Sequence, residues 1–224
     1  MPSKVSVVIP SLDEQERIAA AVDSARGSGA AEVIVADGGS SDETVERARR
    51  AGARVITGER MRARHMNGGA EAAAGEILLF LHADTRLPRG ACRAVEQALA
   101  AGAAFGGFRI SFAEPFLRLR LVATMINART AVTRCPWGDQ AQFVRRDVFL
   151  ASGGFREIPI MEDYELAVRM KHHGPVVVLP DRVITSGRRF LEKGVLATAL
   201  MNWRIVIAYR RGADPMKLAA MYRG

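Results

Sequence analysis

The sequence has only two cysteines in 224 residues, Cys92 and Cys135, far apart and in no CxxC pattern. That excludes a disulfide framework and a thiolate zinc site, and it fits a reducing, cytoplasmic setting. The four histidines, His65, His82, His172 and His173, lack zinc spacing backed by acids or thiols. No apolar run approaches the roughly 20 residues a membrane span needs. The opening MPSKVSVVIP has no long apolar leader core, since Pro10 closes its short run, so a soluble chain is expected. Aromatics are 6% of the residues, with no interleaved basic–aromatic strand face, which argues against a nucleic-acid partner. There is no GxSxG elbow and no GxxxxGK[ST] loop, and PSLDE rather than a GxGxxG turn follows the first apolar run. These absences weigh against a serine hydrolase, a P-loop NTPase and a dinucleotide dehydrogenase.

What is present is ordinary core material, 49% hydrophobic and 25% charged, enough for one domain with a tail. The net charge is +8, and its distribution is uneven. From Arg182 onward nine bases face only two acids, Glu192 and Asp214. An anionic partner is expected: nucleotide phosphates, nucleic acid or lipid headgroups.

The pattern centres on residues 76–85, EILLFLHADT. Five apolar residues in a row read as a strand buried on both faces, and Asp84 follows it at once. Residues 5–9 and 33–36 are two more short buried strands, and 54–57 a third. Helical patterns at 14–26, 61–74 and from a Ser40–Glu43 capping box to about 51 separate them. Alternation at this spacing gives βαβ units and a mostly parallel central sheet flanked by helices. Further on, 88–101, 115–132, 164–172 and 195–211 read as helices, and 105–112, 142–144 and 176–179 as strands. Residues 1–190 are expected to form one domain, and 191–224 a basic helical extension packed on it, on a partner or on a membrane.

In open α/β sheets ligands sit beyond the carboxyl ends of the strands. Three strand ends deliver acids there: Asp84, Asp37, and Asp13 or Glu14. Such a rim suits a nucleotide. Asp37, beside the Gly38–Gly39 turn, is placed to accept from a base N–H; Glu14 or the backbone of Pro10, Ser11 and Leu12 suits ribose hydroxyls. Asp84 could hold a metal on a diphosphate, with Arg62 and Arg64 adding positive charge. His82, two residues before Asp84, points to the same side and is a second candidate ligand for manganese, or else a wall residue. Gly138-Asp139 either positions an acceptor or makes a turn. Glu162-Asp163 opens a helix, where acids cap; a carboxylate there could also serve as general base.

These residues resemble a family. VSVVIPSLDEQERI looks like the amino-terminal signature of family 2 glycosyltransferases with the GT-A (Rossmann-like) fold, and VIVADGGSSDET is similar to their second signature. LLFLHADT occupies the slot of their Asp-x-Asp metal motif, and GGFREIPIMEDYELAVRM looks like their Gly-Gly-Phe loop with its Glu-Asp pair. The match runs from about residue 5 to 189. The resemblance implies that Pro10, Ser11, Leu12, Glu14, Asp37, Gly38, Arg64, Asn67, Ala83 and Asp84 line the nucleotide site. It implies a divalent metal, Mn²⁺ or Mg²⁺, on Asp84, and Asp163 as the base that deprotonates the acceptor hydroxyl with inversion at the sugar carbon. Gly138, Asp139, Glu162, Arg188 and Arg189 would serve the acceptor and diphosphate. Three positions depart from the pattern: Asp13 for Asn, His82 for the first acid of Asp-x-Asp, and Phe190 for Trp. GERMRARHMNGGA, LLFLHADTRLP and PWGDQAQFVRR together look like a bacterial arsenosugar-biosynthesis-type subgroup.

The expected partners are a nucleotide-diphosphate sugar and a hydroxyl acceptor, not nucleic acid. The arginines near Trp203 and Tyr209 suit a helix on the inner membrane face or against a second copy in a homodimer. Two other classes share the layout: a sugar-nucleotide nucleotidyltransferase and a non-catalytic nucleotide-sugar binding module.

Overall fold

The computed structural model describes residues 4–58 and 61–223, so positions 59–60 of the quoted GERMRARHMNGGA segment lie outside it. In the first half, β1 (Val5–Ser11), β2 (Glu32–Asp37), β3 (Arg54–Thr57) and β4 (Ile77–Phe80) alternate with α1 (Ile18–Gly27), α2 (Thr44–Arg50) and α3 (Arg62–Ala72). The second half carries α4 (Ala91–Ala100), β5 (Phe105–Phe112), α5 (Leu117–Thr133), a 3₁₀ turn (Gly138–Gln140) and β6 (Phe143–Arg145). It continues through α6 (Arg146–Ala151), α7 (Glu162–Met170), β7 (Val176–Thr185), α8 (Arg188–Glu192), α9 (Val195–Arg210) and α10 (Pro215–Arg223).

The seven strands form one sheet in the order β3-β2-β1-β4-β6-β5-β7. Only β6 runs against its neighbours; the other adjacent pairs are parallel. The continuous apolar runs follow from burial on both faces. Val5, Val7 and Ile9 of β1 enter the layer holding Ile18 and Val95, while Val8 enters the layer holding Met66 and Phe149. β4 divides in the same way, with Leu79 on one side and Leu78 and Phe80 on the other.

Gly69, which weakens the helical pattern of α3, has a packing reason. A Cβ there would run into Val8 Cγ1, so the glycine lets α3 lie close on β1. α7 is anchored similarly deep, through Leu166, Ala167 and Met170.

The expected capping box does not form. Helix α2 starts at Thr44, and the Ser40 hydroxyl instead donates to Asp37 Oδ1 (2.5 Å) and accepts the N–H of Asp13 (2.9 Å). Ser40 is spent joining the loops after β1 and β2. Asp13, at φ 53, completes the seam by accepting from Ser41 N–H (2.8 Å). Helices α6, α8 and α10 are short or terminal and were not legible as periodic segments; β7 runs six residues beyond the expected 176–179 because β5 continues beside it to Phe112.

Candidate functional site

The site lies where β1, β2 and β4 end. Asp37 sits opposite Ser11 in the β1–β2 register, and β4 flanks β1 on the other side, so both acid-bearing loops share one rim. Against the expectation of a carboxylate open to a nucleobase, Asp37 is 1% exposed. Its Oδ1 accepts from the Ser11 and Ser40 hydroxyls, and its Oδ2 from the N–H groups of Gly39 (2.9 Å) and Ser40 (2.8 Å). Four donors saturate it, so it builds the turn rather than reaching into the crevice. Gly38 is needed there because a Cβ would strike the His65 ring.

Glu14 is half-buried and ion-paired with Arg17 (3.3 Å). Burial, and secondarily the charge of Asp84, push its carboxyl up, while Arg17 and Arg188 oppose this. Glu14, Asp84 and Arg188 therefore share one electrostatic neighbourhood, which the sequence alone could not join. Asp84 is half-buried, with one carboxylate oxygen accepting from the Thr85 hydroxyl (3.2 Å).

The centre of the site is Gly138. A Cβ on it would lie 2.6 Å from His82 Nε2, 2.9 Å from Arg62 Nη2 and 3.0 Å from Asp163 Oδ2. Four chain segments thus meet around one glycine: the loop after β4, the start of α3, the start of α7 and the 3₁₀ turn. Asp163 Oδ2 accepts the Gly138 N–H (2.6 Å) and Oδ1 accepts the Tyr164 N–H (2.7 Å). Gln142 donates its side-chain amide to the carbonyls of Asp163 and Pro136, both at 2.9 Å, which fixes the backbone under the carboxylate. The residues on either side of this frame carry left-handed backbone, Ala141 at φ 47 and Met161 at φ 72. Such conformations cost of order 1 kcal/mol or more for residues with a Cβ and cluster at sites that over-determine them.

His82 Nε2 faces Arg62 Nη2. A guanidinium only donates, so this nitrogen accepts and the ring is neutral. Burial first, and Arg62 second, hold its pKa well below the usual histidine range. The sequence reading of His82 as a manganese ligand meets a physical obstacle: the ring nitrogen in the site already serves a cation. Arg62 also lies 3.4 Å from buried Glu162, whose carboxyl is pushed up by burial and by Asp163.

Asp139 is incompletely satisfied, as is Arg129, whose buried Nε also lacks a hydrogen-bond partner. Asp139 Oδ1 is buried with no hydrogen-bond partner. Burial, aided by the charges of Asp163 and Asp84, pushes its carboxyl up to about 6 despite Arg129 and Arg62 nearby. Arg129 is itself held over the Trp137 ring, 3.6 Å from its centroid, and donates to Gln140 Oε1 (3.1 Å).

Several expected residues stand elsewhere. Arg64 turns outward to Glu157 (2.8 Å), so Arg62 is the basic residue of α3 that enters the site. Asn67 pairs in both directions with the backbone of Phe155, at 2.9 and 2.8 Å, and so clamps the Gly-Gly-Phe loop rather than a nucleotide. Phe155 also meets Phe80 and Phe149, which ties that loop to β4. Ala83 is a core residue, Pro10 is a partly buried strand residue and Leu12 is exposed. Phe190 packs on Phe112, at the end of β5. Arg189 stacks 3.5 Å from the Tyr222 ring centroid and donates to the Tyr222 carbonyl (2.8 Å). Tyr222 was missed in the sequence, because nothing marks a terminal tyrosine as near a site 59 positions earlier. Its hydroxyl pKa is raised, by burial first and then by the charges of Asp163 and Asp139, against the opposing charge of Arg189.

The sheet and the loops at its edge define a GT-A-type α/β fold. The chain belongs to glycosyl transferase family 2, which matches residues 6–156. Among solved structures it is similar to Staphylococcus aureus TarS, with TM-score 0.64 at 17% identity over 91% of this chain. This chain spans only 39% of that one. It is also similar to Mycobacterium tuberculosis glucosyl-3-phosphoglycerate synthase, with TM-score 0.62 at 18% identity over 95% of this chain and 81% of that one. That protein was crystallised with Mn²⁺, uridine diphosphate and glucosyl-3-phosphoglycerate, and also with Mg²⁺ and uridine diphosphate. At this identity the likeness carries the fold. No curated protein matches the sequence.

Proposed function

We propose that the protein is an inverting glycosyltransferase, of the hexosyl type, that moves a sugar from a nucleotide-diphosphate sugar to an acceptor hydroxyl. The observation that carries this is the placement of Asp163. Its carboxylate stands at the start of α7, held at both oxygens by backbone N–H groups, with Gly138, Arg62 and His82 around it. A base so oriented can take the proton of an acceptor hydroxyl as the new glycosidic bond forms. Arg62, with its charge directed by Glu162 and His82, suits the departing diphosphate, and exposed Arg188, whose charge acts on Glu14, suits the same group. Glu14 and the turn clamped by Asp37 are the proposed nucleoside contacts.

The residues present fit a hard divalent cation, Mn²⁺ or Mg²⁺. Asp139 Oδ1 is buried and unpartnered, and its carboxyl feels both Asp84 and Asp163. Among the described residues no three His, Cys, Asp or Glu side chains form a cation cage, so Asp84 with Asp139 would hold the ion and diphosphate oxygens would complete its shell. When bound, the ion supplies charge stabilisation for the leaving diphosphate. The mycobacterial synthase, whose crystals held UDP with either metal, supports this choice.

The narrower placement in the arsenosugar-biosynthesis-type subgroup is supported by the three segment likenesses described above. The proposed division sets residues 1–190 as the catalytic domain and 191–224 as an extension, supported by Ile205 and Leu218 packing on Met161. A cytoplasmic setting is supported by the buried free thiols of Cys92 and Cys135.

The test is a thermal-shift panel of UDP-, GDP-, TDP- and CDP-sugars with and without Mn²⁺. One nucleotide should stabilise the protein in a metal-dependent way. Absence of stabilisation by any of them would remove the reading.

A further inference from the structure

We propose that α5, α9 and α10 together form a docking surface for an anionic lipid bilayer, a reading that goes beyond the donor-site assignment and does not depend on it. Helix α5 buries Leu119, Val122 and Ala123 in the domain, yet it exposes Leu117, Leu121, Met125 and Val132. These recur at i, i+4, i+8 and i+15, one face of a helix. Helix α9 repeats the pattern with exposed Leu196, Leu200, Trp203 and Ile207, at i, i+4, i+7 and i+11. Leu196 is 79% exposed, Trp203 63% and Val132 85%. Among the described residues, eleven of the fifteen exposed large hydrophobic side chains lie on these helices or, as Phe116 does, at the start of α5. The helices adjoin, α5 against α9 and α9 against α10, so the stripes belong to one region of the surface. A helix apolar on both faces needs a second apolar partner.

Charge decides what that partner is. Residues 115–134 contain four arginines and no acid, and the nine bases from Arg182 onward face two acids. Exposed Arg118 and Arg120 flank the stripe on α5, and Arg204, Arg210 and Arg211 flank that on α9. A second copy of this chain would bring these bases against themselves. An anionic bilayer neutralises them, while its acyl boundary receives the leucines. An open groove of about 560 Å³ between α9 and α10 has the same character, with Arg204 and Arg211 beside Ile207 and Met221. It combines guanidiniums for a phosphate headgroup with an apolar floor. Among the described residues no helix is long and apolar enough to cross a membrane, so the helices lie on the surface. Trp203, exposed in the α9 stripe, is of the residue type that anchors at membrane interfaces. The sequence had suggested α9 alone for this role; the tertiary structure adds α5, which starts 78 residues earlier in the chain.

The experiment is co-sedimentation of the full chain with vesicles of equimolar phosphatidylglycerol and phosphatidylcholine, against phosphatidylcholine alone, with tryptophan emission recorded. The expected result is binding to the anionic vesicles with a blue shift that Trp203→Phe removes. Leu121→Glu with Leu200→Glu should weaken binding at least about tenfold, since both leucines are withheld from the lipid and two carboxylates face its anionic surface. Arg204→Ala with Arg211→Ala should weaken it and reduce its salt sensitivity. Retained cooperative thermal melting without added nucleotide shows these variants folded and separates this test from that of the donor site. No binding to anionic vesicles, or binding unchanged by the glutamates, overturns the proposal. So does a lipid-free dimer that Leu200→Glu dissociates, which would assign the face to a second copy.

Discussion

Asp163 accepts the backbone N–H of Gly138 at 2.6 Å, across 25 positions of sequence. A loop glycine and a helix-start acid are thereby one unit. Hydrogen bonds to a charged group contribute about 1.5–3 kcal/mol each. This one orients the carboxylate that is proposed to act on the acceptor.

Replacing Asp163 with Asn keeps the shape and removes the base. Transfer should fall by about a thousandfold or more, within the range general-base removal gives, while nucleotide binding is spared. Steady-state turnover beside calorimetric binding of the nucleotide makes the comparison. Unchanged turnover would take Asp163 out of the role.

Gly138→Ala tests the convergence itself. The new methyl would meet His82, Arg62 and Asp163 at 2.6–3.0 Å. A misplacement of this size should lower kcat by about a hundredfold. Thermal melting should show that the variant is still folded; a variant as active as the parent would mean that the three groups need not be held together.

The Asp139 carboxyl, raised from 3.8 to about 6, gives a signed pH dependence. The native state takes up this proton near pH 6 and the unfolded chain near 3.8, so this group's contribution to stability improves as pH falls through that window and is least favourable above it. Urea unfolding of the parent and of Asp139→Asn at pH 4.5 and 7.5 isolates the effect. Relative to the variant, the parent should gain about 1–2 kcal/mol on going to the lower pH. An equal difference at both values would show that the carboxyl is not held up.

Asn67→Ala should behave as a structural lesion. Losing both bonds to Phe155 leaves buried backbone groups unpaired, at about 1–3 kcal/mol. The melting temperature should drop, and nucleotide affinity measured well below it should hold. A selective loss of affinity at unchanged stability would return Asn67 to the donor site.

Much of this arrangement was legible in the chain. The buried runs at 5–9, 33–36 and 77–81 read as central parallel strands, which they are, and strand ends set the rim on which Asp37, Glu14 and Asp84 stand. The helical extension was also visible from its basic apolar pattern, although α10 was not. The loop PWGDQAQ gave no periodic signal, yet Gln140 and Gln142 carry much of the hydrogen bonding that frames Asp163.

Residue types and their periodicity act locally, so the buried strands of the first half, and the acids at their tips, could be read from the chain, whereas the reversed direction of β6 could not. The partners of those acids depend on contacts between segments far apart, and they emerge only with packing. It closed Asp37 into its own turn, sent Arg64 outward and Arg62 inward, left Asp139 Oδ1 unpaired and set Tyr222 near Asp163. The physical reason is that burial and charge proximity are properties of the packed chain: a carboxylate's neighbours set its protonation and its reach, and nothing in a linear pattern specifies them.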